Sequence, residues 1–148
     1  MMELGLITPE HEEKGAMHHN NSHKFESNFV GVHVPENNSV LFGSLSGTKQ
    51  GIWVAHGECK FALPYEESRY HIVAKYNYAG YPANPNGSAY NIAGIASADG
   101  RHVARMPHLE RCIFPWQCGS YPLDRRADEV TPWIEAFVNA RLWVENQK

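Results

Sequence analysis

A chain of 148 residues, 43% hydrophobic and 11% aromatic, is long enough to bury one core of ordinary domain size and too apolar to be read as disordered. Thirteen basic residues against 16 acidic ones give a net charge of −3 with no basic stripe, which argues against binding nucleic acid through its phosphates. No run of about 18 apolar residues is present to span a membrane.

The chain opens on Met1-Met2-Glu3-Leu4-Gly5-Leu6, which lacks the basic start and long apolar stretch of a signal peptide and reads as the end of a helix closed near Gly5. From Thr8-Pro9-Glu10 to Asn21 the sequence is polar and histidine-rich and predicts loop or a broken helical turn. Residues 29–108 are strand-like. Phe29–Val34, Gly51–His56, His71–Tyr76, Ile92–Ser97 and His102–Met106 carry the β-branched, alternating pattern of strands, punctuated by Pro35-Glu36-Asn37-Asn38, Pro64 and the loop Tyr81–Ser88. Ala98-Asp99-Gly100-Arg101 predicts a hairpin turn, because Gly accepts positive φ cheaply. The last zone predicts a helix. Thr131 is placed to cap it, Pro132 suits its first turn, and Trp133, Ile134, Phe137, Val138 and Val144 form an apolar stripe. Many strands with one long helix suggest part of a larger α/β unit. Cys59, Cys112 and Cys118 are too few for a disulfide framework, so a reduced, cytoplasmic setting is expected.

The chemistry concentrates in Met106-Pro107-His108-Leu109-Glu110-Arg111. In extended backbone, residues i and i+2 project to the same side, so Glu110 can accept a hydrogen bond from one nitrogen of His108. That fixes the tautomer and leaves the other nitrogen free to take a proton from a nucleophile. Spacing alone leaves the alternative of a plain surface pair at a strand end. His18, His19 and His23 lie together, but no H-E-x-x-H and no paired C-x-x-C accompanies them, and no metal is expected. Trp53, Trp116, Trp133 and Trp143 read as core or interface anchors.

The same segment resembles the M-P-H-P-E-R stretch of class I, triad-type glutamine amidotransferases. It is most similar to the glutaminase domain of the formylglycinamide ribonucleotide amidotransferases, the phosphoribosylformylglycinamidine synthases. Four further segments match in order: Asn20-Asn21-Ser22-His23-Lys24-Phe25-Glu26; Ala55-His56-Gly57-Glu58; Tyr81-Pro82-Ala83-Asn84-Pro85-Asn86-Gly87-Ser88; and Thr131-Pro132-Trp133 followed by Phe137-Val138-Asn139-Ala140-Arg141. The resemblance implies that His108 is the general base toward a cysteine thiol and later the acid toward departing ammonia, and that Glu110 orients it. It implies that Ser22, His23 and Phe25 lie beside the amino-acid end of glutamine and that His56 supports the same pocket. It implies an α/β, three-layer fold with a central, mostly parallel sheet, of which residues 1–148 supply the later strands, an antiparallel extension and the last helix. Glutamine is the expected substrate and the synthase portion of the same enzyme the expected partner. No cofactor is expected in this chain, with ATP and Mg belonging to the synthase part.

The departures from the family pattern carry expectations of their own. The G-x-C-x-G turn bearing the nucleophile is not among these residues, so the sequence is expected to be a domain truncated on its N-terminal side and inactive by itself. Leu109 stands where the family usually has proline, which should change the loop's stiffness more than its chemistry, and Cys59 stands where glycine is common. Two alternatives remain at this level: a small stand-alone cysteine hydrolase using Cys59 or Cys112, and a non-catalytic docking module.

Overall fold

The computed structural model describes residues 1–147. Met1–Leu6 forms no full helix, yet its bonds are those of a helix C-terminus. The N–H of Leu6 donates to the Met1 carbonyl (3.1 Å) and that of Gly5 to Met2 (2.9 Å), with Gly5 at φ +66°, which is the Schellman pattern. The expected loop up to Asn21 contains a strand, β1 (Ala16–His19). It is followed by β2 (Glu26–His33), β3 (Lys49–His56), β4 (Glu58–Ala62), β5 (His71–Tyr76), β6 (Ile92–Ala96), β7 (Val103–Arg105) and one helix, α1 (Ile134–Glu145). Sequence reading misses β1 and β4 because they form a short ribbon paired only with each other, with β1 half-exposed and polar.

The main sheet has the order β3-β2-β5-β6-β7, and every pairing in it is antiparallel. None of the parallel pairing implied by the family resemblance lies among the described residues. The turn Ala98–Arg101 joins β6 to β7 as expected, with Gly100 at φ +71° and Ser97 N–H donating to the His102 carbonyl at 2.9 Å.

The sheet is covered on two sides. One core, built on Val30, Val32, Ile52, Val54, Val73 and Tyr76, packs under Phe42, Leu45, Leu109 and Trp133. A second gathers Met2, Ile7, Phe61, Tyr70, Ile92 and Ile95. β6 is buried along its whole length, which explains its continuous apolar run where a half-exposed strand would alternate.

α1 starts close to where the sequence places it. Thr131 Oγ1 accepts the Trp133 N–H (3.3 Å) and donates to the Cys112 carbonyl. The predicted stripe is only partly inward. Trp133 and Ala136 are buried, and Asn139 donates to the Leu41 carbonyl (3.1 Å) and to Ser44 Oγ (2.7 Å). Phe137, Val138 and Val144 are exposed. The helix docks through Trp133, Ala136 and Asn139, three residues apart, so apolar side chains off that line face outward. Of the four tryptophans, Trp133 is the core anchor. Its indole N–H donates to the Gly51 carbonyl at 2.9 Å, whereas Trp116 is 80% exposed.

Candidate active site

His108 follows β7 and is held by its backbone, with its N–H donating to the Trp53 carbonyl of β3 at 2.8 Å. The expected extended pair is not what brings the two side chains together. His108 itself is extended, but Leu109–Arg111 makes a 3-10 turn with Glu110 in its first turn. The carboxylate folds back so that His108 Nδ1 and Glu110 Oε1 are 2.6 Å apart. Leu109, 2% exposed, is the pin of this turn, since it belongs to the main core. Proline there would stiffen the backbone but could not fill that core position with the same side chain.

Arg105, at the end of β7, completes the cluster. Its guanidinium donates to the Pro107 carbonyl and lies 3.7 Å from Glu110 Oε2. Burial opposes ionisation of Glu110. The hydrogen bond from His108, a backbone N–H and Arg105 outweigh it, so the carboxyl is held below its ordinary value. With Nδ1–H directed at an ionised carboxylate, Nε2 is the nitrogen left to exchange a proton.

His108 and Glu110 line an open cleft of about 980 Å³ together with His56, Cys59, Arg105 and Met106. Alternation along β3 sets His56 in line with Ile52 and Val54, so its ring is directed inward and is 5% exposed. Burial lowers its pKa, and the neighbouring His108 adds to this while Glu26 opposes it. Glu26 is the cross-strand partner of His56 and is itself buried. Among the described residues, neither ring nitrogen of His56 nor Glu26 Oε1 has a hydrogen-bond partner. Glu26 and Arg105 are missed by sequence reasoning. Both lie in or beside quoted motifs, but only the β2–β3 register and the 3-10 turn bring them to the site.

The remaining predicted residues lie on a separate wall. Ser22, His23 and Phe25 occupy the tight turn before β2, where His23 has φ +53°. Ser22 lines a second cleft of about 500 Å³ with Asn21, Lys24, Tyr81, Asn84, Pro85 and Gly87. Its Oγ is buried without a partner, while Phe25 is 68% exposed. The two clefts share structure through Asn20, whose side-chain amide donates to the His56 carbonyl (2.7 Å) and to that of Lys24 (2.9 Å).

All three cysteines are free. Cys59 shares the cleft with His108, but burial pushes its thiol up to about 11; burial pushes Cys112 up to about 12 and Cys118 upward as well. A nucleophilic cysteine needs the opposite shift. The histidines of β1 do not converge: His19 pairs with Glu58 at 3.4 Å, and no group of three or more His, Cys, Asp or Glu is arranged to hold a metal among the described residues. No helix among them is long and apolar enough to cross a membrane.

Comparison with known proteins adds three findings. Residues 1–144 match the family model described as a CobB/CobQ-like glutamine amidotransferase domain. The chain is 37% identical over 142 residues to an Arabidopsis thaliana protein named probable phosphoribosylformylglycinamidine synthase, chloroplastic/mitochondrial, over 86% of this chain and 10% of that protein. It is 36% identical over 161 residues to the Drosophila melanogaster phosphoribosylformylglycinamidine synthase (95% and 12%), and 36% identical over 139 residues to the Homo sapiens protein of that name (86% and 10%). The chain thus spans about a tenth of the length of these relatives. Its fold is similar to the solved structure of PurLQS from Thermotoga maritima, with a TM-score of 0.69 and 24% identity over 96% of this chain and 56% of that one.

Proposed function

This chain belongs to the CobB/CobQ-like glutamine amidotransferase domain family, and on that premise we propose that it contributes the general base and its orienting carboxylate to a glutaminase. Within this reading, glutamine is hydrolysed to glutamate and ammonia. The ammonia then serves the ATP-dependent conversion of formylglycinamide ribonucleotide to formylglycinamidine ribonucleotide in purine biosynthesis. The observation that carries the reading is the 2.6 Å contact between His108 Nδ1 and Glu110 Oε1 on the wall of a cleft. The names of the relatives point to the same pathway.

His108 Nε2 takes the proton of a cysteine thiol as the sulfur attacks the amide carbon of glutamine. The imidazolium, stabilised by Glu110, then gives the proton to the leaving nitrogen, so that ammonia departs and a thioester remains. Water, deprotonated by the same nitrogen, releases glutamate. The net reaction turns glutamine and one water into glutamate and ammonia, and ATP with Mg belongs to the synthase portion. Ser22, His23 and Phe25 contact the amino-acid end of the substrate, and His56, kept neutral by burial, supports the cleft. In this reading the thiol is none of Cys59, Cys112 and Cys118, each of which burial makes harder to ionise. It comes from outside these 148 residues, which therefore do not hydrolyse glutamine alone. Three free cysteines suit a reducing compartment such as the cytoplasm.

The test is glutamate release from glutamine by the polypeptide as its source cells make it. His108→Ala is expected to lower kcat by roughly 10³-fold or more, and Glu110→Gln by about 10²–10⁴-fold through loss of the correct tautomer. Cys59→Ala and Cys112→Ala leave it within a fewfold. Unchanged turnover in His108→Ala would overturn the reading.

A further inference from the structure

The loop Tyr81–Ser88 is densely hydrogen-bonded, and the dyad chemistry makes no use of it. Asn86 is fully buried. Its side-chain amide donates to the Cys59 carbonyl of β4 (2.8 Å) and to Tyr76 Oη of β5 (3.4 Å), and its Oδ1 accepts from Ser88 N–H (3.1 Å) and Ser88 Oγ (2.8 Å). Asn84 Oδ1 accepts the N–H groups of Gly87 (3.1 Å) and Ser88 (3.2 Å), and Ser88 Oγ accepts the Phe61 N–H of β4 at 3.0 Å. The loop is therefore locked onto the sheet from within.

Its outer side bears on one element, the turn before β2. The backbone carbonyl of Asn86 accepts the Asn21 N–H at 3.2 Å. Gly87 sits at φ +75°, and a Cβ built on it would collide with the side-chain amide of Asn21. That turn carries some strain, since His23 adopts a left-handed conformation that only a few per cent of non-Gly residues take, though His takes it more often than most. Such a conformation persists only where its surroundings over-determine it. From the other side the turn is held by Asn20, whose N–H donates to the Gly57 carbonyl (2.9 Å) and whose amide donates to the His56 carbonyl (2.7 Å).

We propose that Asn86 and Gly87 are positioning residues: the Tyr81–Ser88 loop is the buttress that holds the Asn20–Phe25 turn in its strained form, and through Asn20 ties that turn to His56. In the kinetic sense this rests on the glutaminase reading, in which the turn meets the amino-acid end of glutamine. The physical claim that loop 81–88 sets the conformation of turn 20–25 stands without it. Gly is favoured at position 87 on two counts, a left-handed backbone that β-carbons disfavour and a space that the exposed Asn21 amide would have to vacate.

Gly87→Ala in the full chain tests this. Backbone hydrogen exchange of peptides covering 20–25 is expected to quicken roughly tenfold, while peptides covering β5 and β6 keep their wild-type rates. In Asn21→Ala/Gly87→Ala, which keeps the new methyl but removes the amide it strikes, exchange of 22–25 returns toward wild type. In the active native polypeptide, Gly87→Ala raises KM for glutamine roughly tenfold with kcat within about twofold, because binding is weakened and the base is untouched. Wild-type exchange across 20–25 in Gly87→Ala would overturn the proposal, as would a fall in kcat at unchanged KM. Absence of glutamine hydrolysis in the wild-type polypeptide would overturn the glutaminase reading alone, and the exchange result would still decide this one.

Discussion

A carboxylate 2.6 Å from an imidazole nitrogen defines which proton His108 can move, and the hydrogen bond from His108, with a backbone N–H and Arg105 behind it, holds that carboxyl below its ordinary value against its burial. His56 answers to a different force. Burial lowers its pKa, so it stays neutral in the folded chain, whereas in the unfolded chain it charges near its ordinary pKa of about 6.5. Between those two values the unfolded state binds the extra proton, so stability falls as pH drops below about 6.5. His56→Gln removes this group, and the loss of denaturant midpoint between pH 7.5 and pH 5.5 is expected to shrink relative to wild type. An equal loss in both proteins would refute the assignment. The pair His108–Glu110 is visible in the sequence because its members lie two positions apart in one motif. The Glu26–His56 pair is not, because its members are 30 positions apart and meet only through the β2–β3 register.

At the scale of elements, the site depends on the 3-10 turn Leu109–Arg111 and on the side chain that pins it. Leu109→Ala leaves a cavity in the main core and is expected to cost about 2–5 kcal/mol in chemical denaturation, with the Glu110 contact loosened in consequence. A change below half a kcal/mol would show that the turn is held by its backbone bonds alone. The strands of the main sheet are legible from sequence wherever they are β-branched or continuously apolar, as in β5 and β6. The β1–β4 ribbon is not, because polar His18, His19 and Lys60 interrupt its pattern and only mutual pairing makes it a strand pair. The reading of α1 fails on its inner face for a similar reason. Ala136 and Asn139 carry little hydrophobic signal, yet they make the contacts, while the larger Phe137 and Val144 do not. An extended backbone at Glu110 is the other misreading: His108 is extended, but the 3-10 turn that starts at Leu109 carries the carboxylate back to the ring.

Among the described residues, apolar side chains remain uncovered in several places: Leu4 on the cleft, Leu6 after it, Trp116 stacked on Phe114, and Phe137, Leu142 and Val144 on α1. Surfaces of this kind associate. The 148-residue chain on its own is expected to sediment above its 16.7 kDa monomer mass at micromolar concentration. A monodisperse monomer with a reversible, cooperative melt would contradict this. In the proposed glutaminase, His108 and Glu110 serve a thiol other than Cys59, Cys112 and Cys118. The most direct measurement is to treat the polypeptide as its source cells make it with a glutamine-like alkylating agent and to identify the modified residue by peptide mass spectrometry. The account predicts one alkylated cysteine outside these 148 residues, with labelling slowed in His108→Ala. Labelling at Cys59, Cys112 or Cys118 that depends on His108, or no labelling at any cysteine, would contradict it.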